Sequence, residues 1–296
     1  MPLVDLTNQD EVIAAFAAGT AANLSAACRD FGIDRISAPG RLIATGDLHD
    51  NPMHFAKVVH AAGLDEGADP AQRAHLVLHE VIHSDRLIGG VDLSYRALAK
   101  VADLKSRHPE FVHTLLANHE LAQYSGTNII KDGIKPVEAF NAGVEYVFGD
   151  GAEEVLNAIK AFIRSMPIAL RCSGPRGEFL VSHSLPSAAM MTRFDPTILS
   201  RELTSEDYEP RKGSVHLLVW GRGYDHELVE DLVERWGVST FIVGHEHAEN
   251  GARLVDPCVL ILNSDHERGV YLPIDLADPP LAEEMMARVV SLASVE

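Results

Sequence analysis

The stretch from residue 41 to residue 64, RLIATGDLHDNPMHFAKVVHAAGL, contains the pattern on which the fold prediction depends. It begins with a short apolar, β-branched run that stops at Gly46 and Asp47, and it continues with apolar residues at helical spacing. Gly63 lies near the end of the helical part, where glycine commonly terminates a helix. The stretch therefore predicts a strand, a polar loop and a helix, in that order.

The same alternation of strand and helix continues through the first half of the chain, whereas the second half reads mostly as strands. The strand candidates of the second half are GEFLVSHSLP (177–186), SVHLLVWGRG (214–223), STFIVGHEH (239–247), CVLILNS (258–264) and GVYLPIDL (269–276). The pattern predicts an α/β fold with two mixed β-sheets packed as a sandwich and flanked by helices. Without a repeat or linker, we expect one domain over 1–296, with a helical N-terminal extension (1–38) and a helical insertion near the site (120–168).

Composition excludes several classes of partner. The chain has 25 lysine and arginine residues against 43 aspartate and glutamate residues, which gives a formal net charge of −18. This charge argues against nucleic acid or an anionic membrane as the main partner. Three widely spaced cysteines form no disulfide framework, and we find neither a signal peptide nor an apolar stretch long enough to span a membrane. A cytoplasmic location is therefore expected, and the oligomeric state stays open.

Polar residues stand where the apolar runs stop, and in α/β folds the carboxyl ends of strands converge on one crevice. These groups offer oxygen and imidazole nitrogen but no sulfur, a set that suits manganese, iron or zinc. Two such ions would activate a water molecule and bind a phosphoryl group between them. The candidate metal ligands are Asp47, His49, Glu80, Asn118, His183, His245 and His247.

Four boxes around these residues resemble those of the calcineurin-like metallophosphoesterases, and they occur in that family's order over roughly residues 40–275. They are ATGDLHDN (44–51), LLANHE (115–120), LVSHSLP (180–186) and IVGHEHAENG (242–251). The segments IRSMPIALRC (163–172) and WGRGYDHELVEDLVERWGVSTFIVGHEHAENG (220–251) are most similar to the phosphoprotein phosphatase branch.

The resemblance implies two divalent metal ions and a phosphorylated substrate, either a protein or a small molecule. One ion would be bound by Asp47, His49, Glu80 and His247, and the other by Glu80, Asn118, His183 and His245. His119 would be the general acid held by Asp85, and Arg86 and Arg222 would bind phosphate oxygens. A metal-bound hydroxide would then hydrolyse a phosphomonoester in one step.

The second box departs from the family pattern. A histidine and a glutamate, His79 and Glu80, stand where the family has Gly-Asp, and Asp85 and Arg86 follow two residues farther along than expected. The same segment reads HEVIH (79–83), the HExxH signature of zinc metallopeptidases, which requires both histidines on one face of a helix.

Several alternatives therefore stay open beside the phosphomonoesterase. They are a hydrolase of diadenosine polyphosphates or other phosphoanhydrides, a zinc peptidase using HEVIH, and an inactive metal-binding interaction protein. Three further histidines, His79, His83 and His266, are candidates for the shell around the ligands.

Overall fold

Two β-sheets form the centre of the molecule in the computed structural model, which describes residues 4–127, 133–255 and 258–295. The strands of the larger sheet are β1 (Arg29–Asp30), β2 (Ile33–Ser37), β6 (Ala169–Gly174), β7 (Gly177–Ser182), β8 (Thr240–Val243), β9 (Ala252–Val255) and β10 (Val259–Leu262). Those of the smaller sheet are β3 (Arg41–Thr45), β4 (His75–Leu78), β5 (Val112–Thr114), β11 (Val270–Asp275) and β12 (Val290–Ser291).

Both sheets combine parallel and antiparallel pairs. The strand order is β1-β2-β6-β7-β8-β10-β9 in the larger sheet and β12-β11-β3-β4-β5 in the smaller one. The strands β3, β4 and β5 are parallel to one another, as are β7, β8 and β10. The predicted fold class, two mixed sheets with flanking helices, is confirmed.

Helices cover the outer faces of the sheets because the strands alternate between two apolar layers. In β3, Leu42 and Ala44 belong to the layer between the sheets, whereas Ile43 belongs to the layer beneath the helices. In β10, Leu260 faces the first layer and Ile261 the second. Burial on both faces explains why these strands read as continuous apolar runs. The helices are α1 (Gln9–Ser25), α2 (Pro52–Ala61), α3 (Tyr95–Arg107), α4 (Asn118–Ser125), α5 (Pro136–Phe148), α6 (Ala152–Ser165), α7 (Ser214–Val219), α8 (His226–Trp236) and α9 (Ala282–Met286).

The sheets meet where β3 and β10 end. Asp47 and Asn263 form a parallel bridge there, although they belong to different sheets. A side chain on Gly46 would place its Cβ 2.0 Å from the carbonyl oxygen of Leu262, so only glycine allows this approach. The junction brings the carboxyl ends of strands from both sheets to one place.

Three local predictions need correction. The N-terminal extension (1–38) is helical only over α1, and it continues into β1 and β2, of which β2 pairs with β6. The strand candidate at 214–223 begins instead with the helix α7, because a short run with apolar residues on every side fits a buried helix as well as a strand. The segment HEVIH (79–83) is a loop that follows β4 rather than a helix or a continued strand.

The region predicted as a helical insertion, 120–168, contains most of α4 and all of α5 and α6, while its residues 128–132 lie outside the described part of the chain. The three helices pack together, α6 contacting both α4 and α5. Within the ranges that the structure describes, no helix is long and apolar enough to cross a membrane.

Candidate metal centre

The polar residues predicted to act as ligands follow the strands at the sheet junction. Asp47 stands two residues after β3, and Glu80 stands two residues after β4. Asn118 is the first residue of α4, which follows β5. In the larger sheet His183 comes directly after β7, and His245 comes two residues after β8. Since these strands point their carboxyl ends to the same side, residues up to 198 apart along the chain come into contact.

Four of the predicted ligands converge on one nitrogen atom. Nε2 of His183 lies 2.7 Å from Oδ1 of Asn118, 2.9 Å from Oε2 of Glu80 and 3.0 Å from Nδ1 of His245. A ring nitrogen carries at most one hydrogen, so hydrogen bonding cannot satisfy all three contacts at once. All four side chains are buried. Hydrogen bonding alone therefore does not account for the close approach of these four side chains.

These distances fit a transition-metal ion. Ligands bonded to such an ion at about 2.0–2.2 Å lie roughly 3 Å from one another when their bonds are at right angles. Oε2 of Glu80, one of the converging atoms, is buried and makes no hydrogen bond among the described residues. The donor set of two imidazoles, one carboxylate and one amide oxygen suits zinc, iron or manganese. Glu80, Asn118, His183 and His245 therefore fit the binding of one divalent ion.

The other predicted ligand set is only partly gathered. His49 Nε2 lies 3.2 Å from Glu80 Oε1, so these two side chains could share an ion. Oδ1 of Asp47 lies instead 3.5 Å from Nδ1 of both His79 and His183, and the carboxylate accepts the backbone N–H of His245.

His247 lies apart from these residues. Its side chain is exposed, and its ring is 5.8 Å from that of His266. Among the described residues it belongs to none of the groups whose ligand atoms converge. The structure therefore brings Glu80 together with the first ligand set and with His49, whereas His247 is outside the groups of described residues whose ligand atoms lie within 4.8 Å of one another.

Backbone strain concentrates at the same place. Five residues other than glycine have a positive φ here, a conformation that L-residues adopt at an energetic cost: His49, Asp50, Glu80, His83 and His245. Such residues cluster where function demands a particular side-chain direction. Outside this group, only Phe31 and Arg211 share the feature among the described non-glycine residues.

Contacts with α4 and with the residue before α3 hold the loop 79–83 in its strained conformation. Oε1 of Glu120 accepts the backbone N–H groups of Val81 at 2.7 Å and Ile82 at 3.2 Å. The backbone N–H of His83 donates to Oγ of Ser94 at 3.1 Å. Because all three donors follow Glu80 directly, these bonds fix the direction in which its carboxylate points. Neither Glu120 nor Ser94 was predicted, although Glu120 lies within the quoted box LLANHE.

The loop geometry removes the peptidase alternative. An HExxH site needs two histidines one helical turn apart and facing the same ion. Here Glu80 has φ 48° and His83 has φ 59°, so the segment is not helical. Moreover, His79 faces His183 whereas His83 faces His119. The two histidines therefore cannot chelate one ion together in the manner of a zinc peptidase.

His119, the predicted general acid, lies at the edge of this centre. Its Nε2 is 3.6 Å from Glu80 Oε1, and its ring packs edge-on against that of His49. Asp85 was predicted to hold this ring, but Asp85 is exposed, and the atom found at Nδ1 of His119 is Nδ1 of His83, 3.0 Å away. The strained turn at His83 brings its ring to the place expected for Asp85.

Both predicted phosphate-binding arginines contact the backbone of a site histidine. The guanidinium of Arg86 donates to the carbonyl oxygen of His49, and that of Arg222 donates to the carbonyl oxygen of His245 at 2.8 Å. Both arginines are exposed. A guanidinium has five N–H donors, so these contacts leave donors available at the rim of the centre.

Protonated histidines compensate the negative charge of the buried carboxylates in the centre. Burial and, secondarily, the charge of Glu80 raise the pKa of Asp47 to about 7. Burial also opposes the charge of Glu80, yet the imidazoles of His183 and His119 hold its pKa well below the usual range. Burial would lower the pKa of His49, but contact with Glu80 raises it to about 10. In the chain alone, imidazole protons thus provide the positive charge that a divalent ion would provide when bound.

Comparison with known proteins identifies the fold. No protein-family model and no curated protein sequence matches the chain. A protein serine/threonine phosphatase from Saccharomyces cerevisiae superposes with a TM-score of 0.63 at 13% identity, over 90% of this chain and 83% of that chain. The cold-active protein-tyrosine phosphatase of a psychrophilic Shewanella species superposes with a TM-score of 0.54 at 15% identity, over 85% of this chain and 80% of that chain. The chain shares their fold. At such low identity the similarity concerns the fold alone.

Proposed function

We propose that this chain is a metal-dependent phosphatase that hydrolyses phosphomonoesters. The observation that carries the proposal is the convergence of Asn118, Glu80 and His245 on Nε2 of His183, with His119 3.6 Å from the same glutamate. A buried site of this kind beside a candidate proton donor is what metal-assisted phosphoester hydrolysis requires. The fold is shared with a serine/threonine phosphatase and a protein-tyrosine phosphatase, which supports the same reaction class.

The residues that would bind metal are assigned in two groups. Glu80, Asn118, His183 and His245 form the first. The second consists of the predicted set Asp47, His49, Glu80 and His247, of which His49 and Glu80 are 3.2 Å apart. Divalent ions bound there would polarise a phosphoryl oxygen and make a water molecule nucleophilic at neutral pH. Because the first group is fully assembled and the second is not, we propose one tight site and one weaker site.

The remaining residues have roles that their positions support. His119 would donate a proton from Nε2 to the leaving oxygen, since its Nδ1 is already in contact with His83. Arg222 and Arg86 would direct their remaining N–H donors toward phosphate oxygens, because each is already fixed on the backbone of a site histidine. The strained loop that carries Glu80 would keep its carboxylate in one position during the reaction.

The test is an activity assay combined with metal analysis. The purified protein would be stripped of metal and titrated with manganese, zinc or iron(II), while hydrolysis of p-nitrophenyl phosphate, a phosphoserine peptide, a phosphotyrosine peptide and diadenosine tetraphosphate is followed. We expect metal-dependent hydrolysis of the monoesters. Preference for the dinucleotide would favour the phosphoanhydride alternative. Tight metal binding without hydrolysis of any substrate would show an inactive metal-binding protein and overturn the proposal.

A further inference from the structure

The two histidines that flank Glu80 in the loop 79–83 each contact a histidine of the centre through the same atom. Nδ1 of His79 lies 3.1 Å from Nδ1 of His183, and Nδ1 of His83 lies 3.0 Å from Nδ1 of His119. All four rings are buried. The paired rings meet edge to face, with interplanar angles of 70° and 62°. In both site histidines, His183 and His119, Nε2 faces the centre, and the contact is made by the other ring nitrogen, Nδ1.

The hydrogen positions of the first pair follow from Thr45. Nε2 of His79 lies 2.9 Å from the carbonyl oxygen of Thr45, and a carbonyl oxygen can only accept. Nε2 of His79 must therefore carry the hydrogen, which leaves Nδ1 of a neutral ring as an acceptor. Nδ1 of His183 then donates to it. Consequently Nε2 of His183, the atom on which the other ligands converge, presents its lone pair.

The second pair follows from Gln123. Nε2 of Gln123 donates to Oδ1 of Asn141 at 2.7 Å, which turns Oε1 of Gln123 toward His83. This oxygen accepts from Nε2 of His83 at 3.1 Å. By the same reasoning Nδ1 of His83 is an acceptor and Nδ1 of His119 is a donor. When the ring of His119 is protonated, its second proton is therefore on Nε2, which faces Glu80, and this is the proton that can be transferred.

We propose, on the basis of the phosphatase function proposed above, that His79 and His83 are paired positioning residues that fix the Nδ1–H form of His183 and His119. A ligating histidine ordinarily donates its second N–H to a carboxylate, a carbonyl or a water molecule. Here a neutral imidazole performs that task twice. It adds no negative charge to a centre that already contains Asp47 and Glu80.

The direct test is histidine side-chain NMR on the zinc-loaded wild-type protein. Long-range ¹H–¹⁵N correlation spectra distinguish the two neutral forms, and spectra of His119→Asn and His183→Asn identify the two residues. We expect Nδ1 of both rings to carry a hydrogen at neutral pH. A ring whose only hydrogen is on Nε2 would overturn the proposal for that pair, whatever the enzyme activity.

Substitution of the positioning residues gives a second test. Asparagine places Oδ1 close to the position of histidine Nδ1 and keeps the acceptor, whereas leucine fills the space without one. We expect His79→Leu to weaken zinc binding 10- to 100-fold, the range typical of groups that orient metal ligands, and His79→Asn to restore most of it. We expect His83→Leu to lower kcat at least tenfold with zinc affinity unchanged, and His83→Asn to recover kcat.

The control is His60→Asn, because the side chain of His60 is 67% exposed on α2. Equal effects of the leucine and asparagine variants at either position would show a packing role and contradict the proposal. If the wild-type protein lacks phosphatase activity but both rings adopt the Nδ1–H form, the proposed function fails while the positioning role stands. If the enzyme is active and the rings adopt the other form, the reverse holds.

Discussion

Nε2 of His183 lies 2.7 Å from Oδ1 of Asn118, although the two residues are 65 positions apart and follow strands of different sheets. This contact joins the carboxyl end of β7 to the start of α4, and therefore joins the two sheets at the centre. Because the same nitrogen also faces Glu80 and His245, the sheet junction and the candidate metal site are one structural feature. A substitution at the site can therefore also destabilise the fold, so metal binding and stability should both be measured for each variant.

The two histidines of the box GHEH should differ in importance. His245 is buried at the convergence of ligands, whereas His247 is exposed. We expect His245→Ala to weaken binding of the tighter metal ion at least 100-fold, because a ligand is lost. We expect His247→Ala to change the affinity for that ion by no more than about threefold, because an exposed side chain is lost. Isothermal titration with zinc measures both. If His247→Ala instead abolishes binding of a second ion, the original assignment of His247 as a ligand is right.

The general-acid role of His119 predicts a dependence on the leaving group. Replacement by asparagine should lower kcat by roughly 10²–10⁴ with an alkyl phosphate, because the departing alkoxide needs a proton. With p-nitrophenyl phosphate the loss should be much smaller, since nitrophenolate leaves without one. Metal content of the variant serves as the control and should match the wild type. An equal loss with both substrates would contradict the role.

Shortening Glu80 should impair the enzyme rather than restore a family-like site. Its two carboxylate oxygens reach His49 at 3.2 Å and His183 at 2.9 Å from a strained backbone. Aspartate would retract them by about 1.5 Å, one C–C bond length, and lose both contacts. We expect at least a tenfold loss of kcat/KM for Glu80→Asp, with Glu80→Gln as the matched variant of the same length. A gain of activity would instead indicate a degenerate centre.

Gly244 should be required for the position of Asp47. An added Cβ would lie 2.3 Å from Oδ1 of Asp47 and 2.6 Å from Cε1 of His79, so both side chains would have to move. We expect Gly244→Ala to weaken metal binding at least tenfold. Gly67→Ala is the control, since nothing lies within 4 Å of the added carbon there, although its φ of 82° makes the variant less stable. Thermal unfolding separates the two effects, and unchanged metal binding in Gly244→Ala would refute the prediction.

A half-buried histidine far from the centre should make stability depend on pH. His75 begins β4, its Nδ1 lies 3.0 Å from Nε2 of His113, and burial lowers its pKa to about 4. Between pH 6.5 and pH 4 the unfolded chain binds a proton that the folded chain does not, so stability falls as the pH falls through this range. At about 1.4 kcal/mol per pKa unit, the loss is at most about 3.5 kcal/mol.

Replacing His75 should flatten this dependence. Asparagine can still donate to His113 but does not titrate, so His75→Asn should lose less stability between pH 6.5 and pH 4 than the wild type. Urea unfolding at several pH values measures the difference, with exposed His60→Asn as the control. Parallel pH curves for wild type and His75→Asn would show that other buried groups account for the effect.

The sequence by itself determined the architecture and much of the centre. Apolar runs predicted the strands β3, β4, β7, β8, β10 and β11. The clearest is β10, in which both faces are buried and all four residues are apolar. The ligand group Glu80, Asn118, His183 and His245 followed from the resemblance and from the rule that carboxyl ends of strands converge. These features depend on residue type and on topology, and both can be read along the chain.

Only the tertiary structure decided what the loop 79–83 does. Its conformation depends on hydrogen bonds from Glu120 and Ser94, which local pattern does not reveal because they come from other elements. The same contacts turn His83 toward His119, the place expected for Asp85. Likewise the run at 214–219 is a helix with five of its six residues buried, a pattern that fits a buried strand equally well. The presence of a strand follows from local periodicity, whereas the direction of a side chain on a strained loop follows from distant partners.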